Sequence, residues 1–590
     1  MLFRFYREKI ADILMEIMGE QGSGGLSRED ALAMIEIPQD EKMGDYAFPC
    51  FKLAKILRKA PPLIAADIAE KIGRNPLFVK VESINAYVNM FIDREGYVKD
   101  LLADVLEQKE DYGKPWVGEG RKVLVEYSSP NIAKPFHIGH IRSTVIGNSI
   151  ALIYSAMGYD VEKLNHLGDY GTQFGKMICA YDRWGNKEDV IASPIRTLLG
   201  YYTKFHAEAE KDPTLDQEAR DIFARLERGE PREMELWRWF REESLKEFNR
   251  VYDMFGITFD SYNGESFYSD KMPRFLEELK AKGLLKESEG AQVVELEDAG
   301  LPTALITKSD GSTLYITRDI AAAVYRKEHY DFYKNIYVVA SQQNLHFQQW
   351  IQIVEMLGYE WARDCVHVPF GLISVEEGTM STREGRVIFL EDVLNKAVEK
   401  TKEIIREKGV NTDNIDETAR QVGIGAVVFQ ELANNRIKDY VFSWDRVLNF
   451  EGETGPYVQY THARAASVLR KAGQEAVKAA EAKCLDGSLN GKYIVSDSAY
   501  QLLKLIYAME GVIVEAGERY EPSILTRHII NIAQAFNRFY HSEHVLIDNE
   551  EEKIAKIAVI FAAKTAIRNG LALLGIQATQ IGRASCRERV

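Results

Sequence analysis

The sequence predicts a multidomain chain, part α/β and part all-α: a doubly wound parallel-sheet domain with a helical insertion, an α+β domain before it and a helical bundle after it. Three observations carry this prediction. Residues 122–127 (K-V-L-V-E-Y) form a short β-branched run that ends in Ser128, Ser129, Pro130 and Asn131, and helical spacing follows over 137–157. A strand, a tight turn and a helix open a doubly wound sheet, with ligands expected at the strand's carboxyl end. Two further buried runs, 336–340 and 366–373, read as strands of the same kind, and the last third has three or more long amphipathic segments.

Taken in order, residues 1–113 mix helical stretches with strand-like runs such as 86–92, and Gly113, Pro115, Gly118 and Gly120 mark the first boundary. The α/β domain spans 114–390, with its insertion at about 180–290. Within the insertion Pro231 opens and Gly256 closes a segment whose Trp237, Phe240, Leu245, Phe248, Tyr252 and Phe255 fall near helical spacing, most simply a core stripe. Residues 391–450 are a helical connection with Leu394, Ala397, Val398, Ile404 and Ile405 on one stripe, and 451–580 form the bundle. The arginine-rich residues 581–590 are off-pattern and are left out of the fold.

The chain has 590 residues, 46% of them hydrophobic and 28% charged, the composition of a folded protein of about four domains. A net charge of −15 argues against a wholly basic nucleic-acid coat but leaves room for local basic patches. Five scattered cysteines without a C-x-x-C pair suggest neither a disulfide framework nor a thiolate zinc site. The first twenty residues carry Arg4, Arg7, Glu8, Lys9 and Asp12 and lack the apolar core of a signal peptide. Eighteen apolar residues never run together, so a membrane span is not expected and a cytoplasmic chain is.

His137, Ile138, Gly139 and His140 sit where the first strand's turn feeds a helix. Two imidazoles at i and i+3 could be a metal pair, but no third ligand accompanies them, and none is assigned a metal. In the stronger reading, glycine lets a flat adenine lie against the backbone while the helix start and the imidazoles donate to triphosphate oxygens.

The stretch E-Y-S-S-P-N-I-A-K-P-F-H-I-G-H-I-R-S from Glu126 resembles the signature of class I aminoacyl-tRNA synthetases, and in detail that of the arginyl-tRNA synthetases. The similarity continues in N-H-L-G-D-Y-G-T-Q-F-G from Asn165, Y-I-T-R-D-I-A-A-A from Tyr315, S-Q-Q-N-L-H-F from Ser341 and G-P-Y-V-Q-Y-T-H-A-R from Gly455. The resemblance implies a Rossmann-type class I catalytic domain, an N-terminal additional domain that touches the tRNA elbow and a C-terminal helical anticodon-binding bundle. It also implies a two-step reaction: L-arginine attacks the α-phosphorus of ATP, with Mg²⁺ accompanying the nucleotide, and the arginyl group then moves to the 3′ end of tRNA(Arg). A monomer is expected. Where the family usually has K-M-S-K-S, this chain has T-M-S-T-R, so Met380, Ser381 and Arg383 match in position while both lysines are missing. Lys134, in the turn before His137, is the candidate replacement cation, with Arg383 and Arg386 beside it; a solvated loop lysine is the competing reading.

Arginine's guanidinium is a planar fork that keeps its charge, so its pocket needs carboxylates and a flat neighbour in fixed geometry. Glu126, at the end of the first strand, and Asp319 are the expected carboxylates; by spacing alone Asp319 could merely cap a helix. Asn131, Tyr315, Asp319 and Gln343 match positions that the resemblance assigns to the amino acid, and Ser128 is expected beside them. For tRNA, Tyr457, Tyr460 and Arg464 share one helical face at i, i+3 and i+7, where helix packing competes with base stacking, and Asn89 and Phe91 alternate onto one face of a predicted strand. Two other readings compete, a class I synthetase for another amino acid and an RNA-binding protein derived from a synthetase that has lost catalysis. Glu126 and Asp319 oppose the first; His137, Gly139 and His140 oppose the second.

Overall fold

The computed structural model describes all residues except 1, 21–25, 39, 309–314, 376–387, 408–413, 450–451 and 580–590. The off-pattern tail 581–590 therefore lies outside the described residues.

The N-terminal part holds an antiparallel sheet of β1 (Tyr46–Pro49), β2 (Phe78–Ile84) and β3 (Tyr87–Ile92) in the order β1-β3-β2. The strand expected over 86–92 is thus the central strand. Asn89 pairs with Ala47 on one side and Glu82 on the other and is fully buried, with neither side-chain polar atom partnered. This corrects the expectation that Asn89 faces a base: alternation gives a residue's face but not whether another layer covers that face. Phe91 is half-buried, with the Lys80 ammonium 4.8 Å above its ring.

The next strand, β4 (Lys122–Glu126), is the β-branched run, and Val123, Leu124 and Val125 are completely buried. It lies beside β5 (Asp160–Leu164). The insertion then supplies helices over 172–281, among them one at Pro231–Phe255 that ends in Gly256 with φ 69°. A short antiparallel sheet of β6 (Lys286–Ser288), β7 (Ala291–Val294) and β8 (Ala304–Thr307) follows, which periodicity does not reveal because its strands are only three or four residues long. Strands β9 (Lys334–Ala340) and β10 (Cys365–Phe370) complete a four-stranded parallel sheet ordered β10-β9-β4-β5. The chain leaves β4 for β5 on one side and returns as β9 on the other, so β4 stands at the switch point where such sheets form a ligand crevice.

The run expected as one strand over 366–373 is broken at Gly371, whose amide donates to the Arg436 carbonyl at 2.8 Å. The next strand, β11 (Ile373–Val375), pairs instead with β12 (Tyr440–Phe442).

Helix α1 (His140–Ala156) follows the β4 turn and is buried nearly all round. At Gly147 an added Cβ would lie 2.1 Å from the Tyr127 Cβ, so glycine is what lets α1 approach the end of β4 this closely. Arg142, in the first turn of α1 and fully buried, reaches into the helical region: Nε donates to Glu431 Oε1 at 2.6 Å, and Nη1 and Nη2 donate to the Lys438 and Arg436 carbonyls at 2.8 and 3.2 Å. Beyond it lie the long helices Ile415–Ala433, Gly455–Ala472, Pro522–Ser542 and Glu550–Leu573, whose Ile529, Phe536, Ile557 and Ile560 form a closed apolar core.

Candidate active site

The turn after β4 is held in an uncommon conformation. Ser128, Ser129 and Ala133 have φ of 67°, 45° and 57°, values that cost non-glycine residues energy and persist only where their surroundings impose them. Here they are imposed. The Ser128 amide donates to Ser143 Oγ at 2.9 Å, and the Ala133 amide donates to Ser244 Oγ at 2.9 Å from the insertion helix. The Ser128 hydroxyl lies 2.8 Å from both the Thr144 and Tyr252 hydroxyls. The Ser128 hydroxyl, expected at the arginine site, faces inward and fixes the turn. Asn131 lies over Gly168 so closely that a Cβ there would come within 2.0 Å of Asn131 Oδ1.

The turn delivers His137 and His140 to the start of α1. The Gly139 amide donates to His137 Nδ1 at 3.0 Å and the His137 amide donates to His140 Nδ1 at 3.1 Å. With Nδ1 accepting, the neutral His137 ring carries its proton on Nε2, whereas His140 Nδ1 lies between the His137 amide, at 3.1 Å, and the His137 carbonyl, at 3.3 Å. Burial holds His137 down to about 4 and, with the charge of His137 adding, His140 down to about 3. Near neutral pH both rings are therefore uncharged.

Met380, Ser381, Arg383 and Arg386 lie outside the described residues. The chain on either side is anchored at the site: β11 precedes them, and afterwards the Ile138 amide donates to the Ile388 carbonyl at 3.0 Å while Leu390 donates to the Phe136 carbonyl at 2.9 Å.

Carboxylates gather beside the signature, and each has an internal partner. Glu126, at the end of β4 and 7% exposed, meets Arg326 through Oε2 at 2.6 Å from Nη2. Asp319 Oδ2 bonds His346 Nε2. Glu265 pairs with Arg318 at 3.0 Å, and the buried Asp169 pairs with Arg241 at 3.1 Å. Burial raises Glu265 to about 7; Asp319 and Asp169 add to the rise, while Arg318 and Lys134 oppose it. Lys134 thus lies close enough for its charge to be felt in this cluster. Tyr315 is well exposed at the first turn of the helix Tyr315–Tyr330, with the Arg318 guanidinium 5.4 Å from its ring. Gln343 follows the carboxyl end of β9 and is exposed, as is Asn131. A parallel-sheet edge that joins neutral imidazoles to a carboxylate cluster suits binding of a triphosphate beside a cationic side chain.

A family model described as "tRNA synthetases class I (R), catalytic domain" matches residues 101–444. An arginine–tRNA ligase of Halothermothrix orenii is 54% identical over 97% of this chain and 99% of its own length, and one of Clostridioides difficile is 55% identical over 94% and 96%. The chain belongs to the arginyl-tRNA synthetase family. Models for an "Arginyl tRNA synthetase N terminal domain" and a "DALR anticodon binding domain" match this synthetase at residues 4–92 and 458–580. Its fold resembles that of Thermus thermophilus arginyl-tRNA synthetase, with a TM-score of 0.78 at 24% identity over 98% of this chain and all of the other.

Sequence reasoning overlooked the side chains that partner the synthetase's carboxylates. His346 stands inside S-Q-Q-N-L-H-F, and Arg326 follows Asp319 by two helical turns on the same face, so a search for helical neighbours of Asp319 would have found Arg326. Glu265 carries no such signal. On the bundle, Tyr457 and Arg464 share a partner. The Tyr457 hydroxyl accepts from Asn537 Nδ2 at 2.9 Å, Arg464 Nη1 donates to Asn537 Oδ1 at 2.6 Å, and the Arg464 guanidinium lies 5.1 Å from the Tyr460 ring. Tyr457 also borders a shallow depression of about 570 Å³ together with Asn537, Arg538 and His541.

Proposed function

We propose that this arginine–tRNA ligase activates its amino acid at the carboxyl edge of β4 and β9. The single observation that carries the reading is the pair of neutral imidazoles, His137 and His140, at the start of α1 beside the carboxylate cluster. ATP lies with its adenine against Gly139 and its phosphates toward the two imidazoles. Arginine lies with its guanidinium between Glu126 and Asp319 and against Tyr315, and with its α-groups near Asn131 and Gln343. An oxygen of its carboxylate bonds to the α-phosphorus as the α–β anhydride bond breaks and pyrophosphate departs. Lys134, with Met380, Ser381 and Arg383 of the T-M-S-T-R segment, offsets the charge that grows on pyrophosphate. The terminal ribose hydroxyl of tRNA(Arg) then attacks the carbonyl carbon, and AMP leaves.

Mg²⁺ travels with the nucleotide. Phosphate oxygens would supply most of its ligands. Tyr457, Tyr460 and Arg464 face the anticodon, and Phe91 faces the tRNA elbow. The chain divides near residues 113, 390 and 450 and works as a cytoplasmic monomer; among the described residues no helix is long and apolar enough to cross a membrane.

Pyrophosphate exchange with ATP, measured for each amino acid with and without tRNA, tests the reading. Exchange with arginine alone supports it, and comparable exchange with another amino acid, or with citrulline, overturns it.

A further inference from the structure

We infer that Arg326 is a positioning residue for arginine selection: it clamps Oε2 of Glu126 so that Oε1 is the oxygen presented to the amino-acid pocket. The inference rests on the reading of Glu126 as an arginine-binding carboxylate.

Arg326 is 1% exposed, and only Nη2 is well used, at 2.6 Å from Glu126 and 3.3 Å from His166 Nδ1. Its Nε and Nη1 have no acceptor. The Tyr268 and Tyr337 rings lie 5.7 and 5.5 Å from the guanidinium carbon and confine it. Burying a guanidinium with unused donors is costly, and an apolar side chain of similar volume would often be no worse for stability. The cation therefore earns its place through what it does to Glu126.

Two effects follow from the geometry. A carboxylate 7% exposed would be buried without a counter-ion whenever the pocket is empty, and Arg326 supplies one. Arg326 and Asp319 also lie on one helix face, so the clamp ties β4 to that helix and sets both arginine-facing carboxylates in a single frame. A forked ligand needs that fixed spacing more than it needs added charge.

The test compares the full-length enzyme with Arg326→Gln, Arg326→Lys, Glu126→Gln and the Arg326→Gln/Glu126→Gln pair by tRNA-supported pyrophosphate exchange, with KM for arginine and for ATP measured separately. Arg326→Gln should raise KM for arginine about tenfold or more and leave KM for ATP within about twofold, and the double variant should be no worse than the poorer single one. A role confined to packing would lower thermal stability with KM for arginine unmoved, or raise both KM values together, and either result overturns the inference. If Arg326→Gln does not fold, Arg326→Lys decides: the same selective rise in KM supports the clamp, and an unchanged KM overturns it. An unchanged KM in Glu126→Gln would refute the underlying reading instead, whereas an effect of Glu126→Gln without one of Arg326→Gln refutes the clamp alone.

Discussion

Lys134 occupies the strained turn between β4 and His137, within electrostatic reach of Glu265 and on the side where phosphates are proposed to lie. Replacing it with alanine removes a charge whose value rises as pyrophosphate leaves. Lys134→Ala should lower kcat for exchange by roughly 10- to 100-fold and change KM for arginine by less than about threefold. Equal losses in both would show that the lysine serves ground-state binding. The position of Lys134 was legible in the sequence because strand, turn and helix are contiguous there. The pairing of Glu126 with Arg326 was not, since 200 residues separate them and neither period nor propensity reports which distant charges meet. Asn89 shows the same limit, because its strand was foreseen but the layers that bury it were not.

At the scale of elements, the close passage of α1 over the end of β4 sets the position of both histidines. Gly147→Ala would place a methyl 2.1 Å from the Tyr127 Cβ, an atom too near the backbone to swing aside. The variant should lose about 1 to 3 kcal/mol in urea unfolding and activate arginine more slowly as α1 is pushed outward. Gly200, mid-helix with no atom within 4 Å of an added Cβ, is the control; there alanine should be neutral or gain up to about 1 kcal/mol. Long elements with strong periodicity, such as the helix that Pro231 opens, were legible to within a residue. The short strands of β6–β8 and the break at Gly371 were not, because they depend on tertiary partners such as the Arg436 carbonyl.

For the whole molecule, burial depresses His137, His462 and His528 to about 4 and His140 to about 3, against 6.5 for an unburied imidazole. Between those values the unfolded chain binds more protons than the folded one, so stability falls as pH drops below about 6.5 and the loss is nearly complete by about 4. Urea midpoints should decline steadily from pH 7 to 4.5. His528→Gln, which keeps a donor for the Leu505 carbonyl, should flatten part of that slope, by at most about 3 kcal/mol. A midpoint constant over this range would mean that the imidazoles stay hydrated. The Arg142 guanidinium has a different bearing, on how far this enzyme can be shortened. All three of its acceptors, Glu431, Arg436 and Lys438, come from downstream of the parallel sheet. A minimised enzyme trimmed at residue 390 would strand a sealed-in cation two residues from His140, so the smallest soluble catalytic piece has to retain the chain through Tyr440.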